Sequence, residues 1–309
     1  MTGLDTTQIG SIELFCKAAE LGSFSAAAEV LGLTPASVSR SIKRLEERLG
    51  VRLFARTTRS VRLTDEGELY WHECREALEQ IAEAERTITG HQKVPAGLLR
   101  ISVGNLYANY RLLPMLRRFT DAYPQVELEL SLSNRVADIV EEGIDLAVRI
   151  GMPQDSRLVA HKLEDATVGI FATPDYLARR GVPQWPDDLS RHDCLQFIQP
   201  TTGRPMPWLL KMPDGEEIDH VFRSRFRVFD DALGCVSLGL GGGGLFQTYH
   251  FIAAAAVARG ELVEVLREYG GRSRRFSVIH PRNRHMSARV RAFVEFMLGE
   301  LRSPASPRR

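Results

Sequence analysis

Residues 34–49 read TPASVSRSIKRLEERL, and the reading of this stretch decides the fold. Thr34 is a residue type that caps helices, and Pro35 suits a first helical turn because the N–H it lacks would have no partner there. Val38, Ile42, Leu45 and Leu49 recur at spacings of four and three, which draws one apolar stripe along a helix. Off the stripe lie Ser37, Ser39, Arg40, Lys43, Arg44 and Arg48. Such a helix gives one face to a core and offers small hydroxyls and cations to something anionic.

Upstream, residues 9–21 place Ile12, Phe15 and Ala19 on one helical face and end at Gly22. Ser23 then caps a short helix, SFSAAAEVLG, whose alanines permit close approach to a neighbour. Gly32 and Leu33 form a tight turn into the third helix, and this order is a helix-turn-helix pattern. Downstream, segments 52–55 and 61–64 flank the polar turn RTTRS, a hairpin wing carrying Arg56, Arg59 and Arg62. Eight Lys or Arg against two acids between Arg40 and Arg62 make a local basic block, although the net charge of the chain is only +1.

Residues 65–91 contain no proline and read as one long helix. Gly67, Cys74, Ile81 and Ile88 repeat every seven residues, with Trp71 and Leu78 between them. That seam predicts pairing with the same helix of a second subunit through Trp71, Cys74, Leu78, Ile81 and Ile88, the alternative being a helix packed on its own domain.

A chain of 309 residues is too long for one core, so further domains are expected. KVPAG at 93–97 reads as a hinge, and beyond it strands alternate with helices. Strands are expected at 98–103, 126–132, 144–150, 167–171 and 275–280, with helices at 107–122, 135–142, 230–240, 249–259 and 287–301. Ligands of open α/β sheets settle at the carboxyl ends of strands. That rule selects Gly104 and Asn105 after the first strand, Ser131, Ser133 and Asn134 after the second, and Arg149 at the third. Backbone donors at a helix start there favour an anion. The run GLGGGG at 239–244 formally satisfies a dinucleotide fingerprint, but it follows a helix and leads to a strand, the reverse of the order that fingerprint needs.

Residues 15–67, with their SFSxAAxxL, PAxVSRxIxxLExxLG and LFxRTTRxxxLTxxG patterns, resemble the DNA-binding domain of LysR-type transcriptional regulators, and residues from Leu98 onward are similar to that family's effector domain. The resemblance implies an all-α winged helix-turn-helix at 1–64 and a linker helix at 65–92. An α/β effector domain of two Rossmann-like, periplasmic-binding-protein-like subdomains follows at 98–303, before a disordered tail at 304–309. Subdomain I is expected at about 98–166 and 268–303, and subdomain II at about 167–267. The resemblance also implies DNA contact by Thr34, Pro35, Ala36, Ser37, Ser39, Arg40, Lys43, Arg56, Thr57 and Arg59. A small organic or aromatic acid is expected between the subdomains, with Phe197, Gln199, Gln247 and Thr248 facing it from the second, the alternative for each effector residue being a capping or structural role. Partners are then double-stranded promoter DNA, the effector, RNA polymerase and further copies of the chain as a dimer or tetramer.

Other functions leave weaker traces. No HExxH and no Ser, His and acid constellation points to an enzyme, no residues suggest a cofactor, and the four cysteines show no metal-ligand spacing. A solute-binding protein would lack the helix-turn-helix. A thiol switch would use Cys194 and Cys235. No secretory leader and no apolar run of membrane-spanning length is visible, so a cytoplasmic protein without membrane partners is expected.

Overall fold

The computed structural model describes residues 6–56, 61–88, 94–135, 139, 142–153, 155–282 and 286–302. The chain divides into two compact units.

The amino-terminal unit runs α1 (Thr6–Leu21), α2 (Phe24–Val30), α3 (Pro35–Leu49), β1 (Phe54–Arg56), β2 (Val61–Leu63) and α4 (Asp65–Ile88). Ser23 and Thr34 cap α2 and α3, each accepting a backbone N–H three residues on at 3.2 Å. Gly50 ends α3 with φ 73°, a left-handed value that a side chain would resist. Phe15, Val38, Ile42, Leu45, Leu53 and Phe54 form the core, and the Phe15 ring meets Phe54 edge-on at 5.4 Å. The wing is the antiparallel pair β1–β2, with Phe54 opposite Leu63 and Arg56 opposite Val61.

The second unit opens with β3 (Gly97–Val103), the short α5 (Asn105–Tyr107), a π turn at Ala108–Leu112 and α6 (Leu113–Ala122). Pro114 has no N–H to give the carbonyl four residues back, and the helix passes this point through the π turn. Next come β4 (Val126–Leu132), β5 (Leu146–Ile150), β6 (Leu158–Ala172) and α7 (Pro174–Arg180). Then follow β7 (Leu195–Ile198), β8 (Trp208–Lys211), β9 (Glu217–His220), β10 (Phe226–Phe229) and α8 (Leu233–Leu240). The chain closes with β11 (Phe246–Tyr249), α9 (His250–Ala258), β12 (Val263–Val265), β13 (Ser273–Pro281) and α10 (Ala288–Arg302).

The main sheet runs β11-β6-β13-β5-β3-β4, with β12 also on β6. β3 is parallel to β4 and β5, whereas β13 is antiparallel to both β5 and β6. The fifteen residues of β6 serve both ends of the sheet. Leu158 to Thr167 pair with β13, and Val168 to Ala172 pair with β11 and β12. Two long antiparallel strands, β6 and β13, thus join the two halves. The expected strand at 167–171 is only the end of β6, because its first half is studded with His161, Lys162, Glu164 and Asp165 and carries no apolar run. The region from 184 to 226, rich in Pro, Gly and charge, still forms strands: β8 pairs with β9 and β7 with β10. Most of the helix expected at 135–142 lies outside the described residues.

Candidate functional site

Along α3, Val38 and Ile42 are fully buried and Leu45 nearly so, while Thr34, Pro35, Ala36, Arg40 and Lys43 are exposed and Ser37 and Ser39 half-buried. Thr34 Oγ1 lies 2.8 Å from Ser37 Oγ, and the Arg40 guanidinium donates to Ser37 Oγ at 3.4 Å. Hydroxyls and a guanidinium therefore share the start of one exposed face. The Lys43–Glu47 pair at 3.6 Å is solvent-exposed and worth little. Ser41 Oγ donates to Ser11 Oγ at 3.0 Å and ties the helix to α1.

Sequence reasoning missed Glu46, which lies beside Leu45 on the inward face and is 6% exposed. Its Oε1 accepts the N–H groups of Leu53 at 2.9 Å and Phe54 at 3.1 Å, so the carboxylate fixes the wing to the helix. An acid on an apolar stripe was the available signal. The Arg56 backbone pairs in the wing; its side chain, Thr57 and Arg59 lie outside the described residues.

The residues expected on an intersubunit seam divide between the amino-terminal core and the far end of α4. Cys74 is buried in the amino-terminal core, and Trp71 and Leu78 pack against that same core. The cause is Gly67, where a Cβ would lie 2.0 Å from the Leu53 carbonyl oxygen, so α4 starts flush against its own domain. Only beyond Leu78 does the helix outrun this core, leaving Ile81 47% exposed; the Ile88 side chain lies outside the described residues.

In the second unit the ends of β3 and β4 meet. The Asn134 amide oxygen accepts the Asn105 N–H at 3.1 Å, and its amide nitrogen donates to the Asp230 carbonyl at 2.8 Å. Gly104 sits so close that a Cβ would approach Asn134 Oδ1 to 3.2 Å. Arg149 donates to Ser102 Oγ at 2.6 Å and to the Arg135 carbonyl at 3.3 Å. Ser133 donates its N–H to the Val103 carbonyl at 3.0 Å and accepts the Arg135 N–H at 3.2 Å, while Ser131 is exposed opposite Ser102. Asp230 has φ 62°, and the Asp231 N–H closes back on the Phe229 carbonyl at 2.6 Å. A three-residue turn with positive φ on a side-chain-bearing residue is strained, and strain of this kind gathers at switch regions.

The other expected effector residues are placed differently. Phe197 packs against the large core, and Gln199 closes a turn with Thr202 and Arg204. Gln247 spends both ends of its amide on the Leu209 backbone, accepting at 2.9 Å and donating at 3.0 Å, so it substitutes for strand pairing. Thr248 is 95% buried and lines a cavity with residues of α8 and α9. As neighbours on β11, Gln247 and Thr248 point to opposite faces of the sheet, against the expectation that both face one ligand.

All four thiols are buried, with Cys194 and Cys235 in different core clusters. Burial pushes the thiols of Cys16, Cys194 and Cys235 up to about 12 and raises Cys74. A thiol held protonated in the fold favours the fold below its ordinary value and loses that advantage as pH rises toward about 12. Labelling with a thiol reagent at pH 8 is therefore expected to be slow in the native protein and complete for all four cysteines in denaturant. Fast native labelling of Cys194 or Cys235 would revive the thiol switch. No helix among the described residues is long and apolar enough to cross a membrane.

Comparison with known proteins agrees with this geometry. Residues 9–68 match the family described as bacterial regulatory helix-turn-helix protein, lysR family, and residues 92–302 match the LysR substrate binding domain. An HTH-type transcriptional repressor of Pseudomonas aeruginosa is 36% identical over 94% of this chain and 91% of its own length. The regulator CrgA of Neisseria meningitidis is 32% identical over 96% of this chain and 97% of its own. The solved structure of CrgA, described as a LysR-type transcriptional regulator, covers 94% of this chain and 98% of its own with a TM-score of 0.61 at 31% identity. A full-length AphB variant covers the same shares with a TM-score of 0.63 at 27% identity.

Proposed function

The chain belongs to the LysR family of bacterial transcriptional regulators, and from that premise we propose which residues read DNA and what controls them. The exposed face of α3 enters the major groove, with Pro35, Ala36, Ser37 and Arg40 at base edges and Thr34, Ser39 and Lys43 beside them toward the backbone. Arg56, Thr57 and Arg59 of the wing hold phosphates and supply salt-dependent affinity. The observation that carries this reading is the Thr34–Ser37–Arg40 contact chain on the face away from the core. Small hydroxyls discriminate bases weakly, so specificity comes from two or more copies at fixed spacing. Those copies pair through α4 beyond Leu78, as a dimer or tetramer in the cytoplasm, and the assembly acts on RNA polymerase. The chain is a regulator and not an enzyme.

The effector domain, residues 98–303, senses a small organic or aromatic acid at the ends of β3, β4 and β5. Gly104, Asn105, Ser131, Ser133, Asn134 and Arg149 form this site, and the Asn134–Asp230 bond is the contact a ligand competes with. Subdomain I comprises residues near 98–166 and 268–303, and subdomain II those near 167–267. A ligand shifts their arrangement only by its difference in affinity for the two states.

Arg40→Ala is expected to weaken gel-shift binding to the promoter at least about tenfold, the scale of one lost base contact. Because Arg40 is exposed, thermal unfolding should not move. Unaltered affinity would sink the placement of α3.

A further inference from the structure

β11 turns Gln247 toward β8 and Thr248 toward the helices. Behind Thr248 lies a cavity of about 90 Å³ walled by Val236 and Leu240 of α8, Phe246 of β11 and Ile252 and Ala256 of α9. Thr248 is 5% exposed, and its Oγ1 has no hydrogen-bond partner among the described residues. An apolar chamber whose one buried hydroxyl lacks a partner is built to accept something that brings one. At its rim Arg259 is held by Glu261 through two contacts of 2.8 Å, so the cation is already neutralised. Tyr110 of the π turn completes the lining.

From this geometry we infer a binding site for a small uncharged molecule with a short aliphatic body and one carbonyl or hydroxyl group. An apolar cavity of about 150 Å³ takes a benzene ring, so this smaller one favours a chain over a ring. The neutralised rim gives a carboxylate no advantage, which separates this site from the anion-favouring ends of β3 and β4. It goes beyond the function proposed above and shares none of Gly104, Asn105, Asn134 or Arg149. An occupant touches both the π turn and the pair α8–α9, and so adds a second input to the same unit.

The test is saturation-transfer NMR on the full-length protein with 2-butanone as probe and butyrate as its charged counterpart. The ketone is expected to bind with a dissociation constant on the order of 1 mM, within the efficiency ceiling for so small a ligand. Butyrate should bind at least tenfold more weakly. Thr248→Val, which keeps the shape and removes the hydroxyl, should weaken the ketone about fivefold. Ala255→Leu, on the exposed side of the mouth, should abolish binding without unfolding α9. Circular dichroism and promoter binding confirm that both variants are folded and keep this result separate from the DNA-reading proposal. No transfer from 2-butanone to the wild type, equal binding of butyrate, or unchanged affinity in either variant overturns the site.

Discussion

Glu46→Ala is expected to destabilise the amino-terminal unit by about 4 kcal/mol, because two buried N–H groups would each lose a charge-assisted partner at about 1–3 kcal/mol. The carboxylate is 6% exposed, and both donors belong to residues at or below 2% exposure. Water cannot replace it without opening the core formed by Phe15, Leu45 and Phe54. The Leu53 backbone has no room to find another partner. Its carbonyl accepts the Thr64 N–H at 3.0 Å, and the Gly67 Cα approaches so closely that a Cβ would sit 2.0 Å away. Helix α3, the wing and the start of α4 thus converge on one residue. A unit of this size has about 5–15 kcal/mol in total, so the loss removes much of it. Calorimetry of the full chain should show the amino-terminal transition falling while the second unit's transition stays, and gel-shift binding should disappear at growth temperature. Glu46→Gln keeps an acceptor oxygen and should retain most of the stability. A change below about 1 kcal/mol in the alanine variant would refute the clamp.

The contrast between α3 and α4 shows what a sequence makes legible. Cap and stripe of α3 are local rules, and Thr34, Val38, Ile42 and Leu45 obey them, while Leu49 at the end of the expected stripe is exposed and Glu46 takes the inward place. The heptad seam of α4 is also local, but a seam does not say what fills it. The partner of Cys74 is chosen by the Gly67–Leu53 approach, a contact fourteen residues apart in sequence. The ends of β3 and β4 were legible through strand alternation and the carboxyl-end rule, and Gly104, Asn105 and Asn134 do meet there. What the rule omits is that Asn134 reaches across 96 residues to Asp230, or that Gln247 and Leu209 bond over 38. Side-chain amides replacing backbone partners leave no periodic trace. The first half of β6 stayed hidden for a related reason, since its pairing with β13 is satisfied by backbone alone and leaves its side chains free to be charged.

The glycine run at 239–244 supplies the second large effect. Gly244→Ala is expected to cost the second unit about 3 kcal/mol, the upper range for overpacking against a backbone that cannot retreat. The new Cβ would fall 1.9 Å from the Asp193 carbonyl oxygen, and φ at Gly244 is 155°, a value side chains rarely adopt. Asp193 is pinned by its own bonds. Its N–H donates to the Tyr176 hydroxyl at 2.9 Å, its carbonyl accepts the Leu245 N–H at 2.8 Å, and the Leu195 N–H returns to Leu245 at 2.8 Å. For a domain of this size the midpoint should fall by roughly 6–12 °C. Gly241→Ala, whose Cβ would meet nothing nearer than 3.5 Å, should change stability by less than about 0.5 kcal/mol. The pair separates the two meanings of the run. A dinucleotide fingerprint requires its second glycine for backbone approach to a pyrophosphate, whereas packing requires Gly244 and leaves Gly241 replaceable. Equal damage at both positions would contradict packing as the reason for the glycines. Loss at Gly244 alone means that they let β11 lie against the segment that leads into β7.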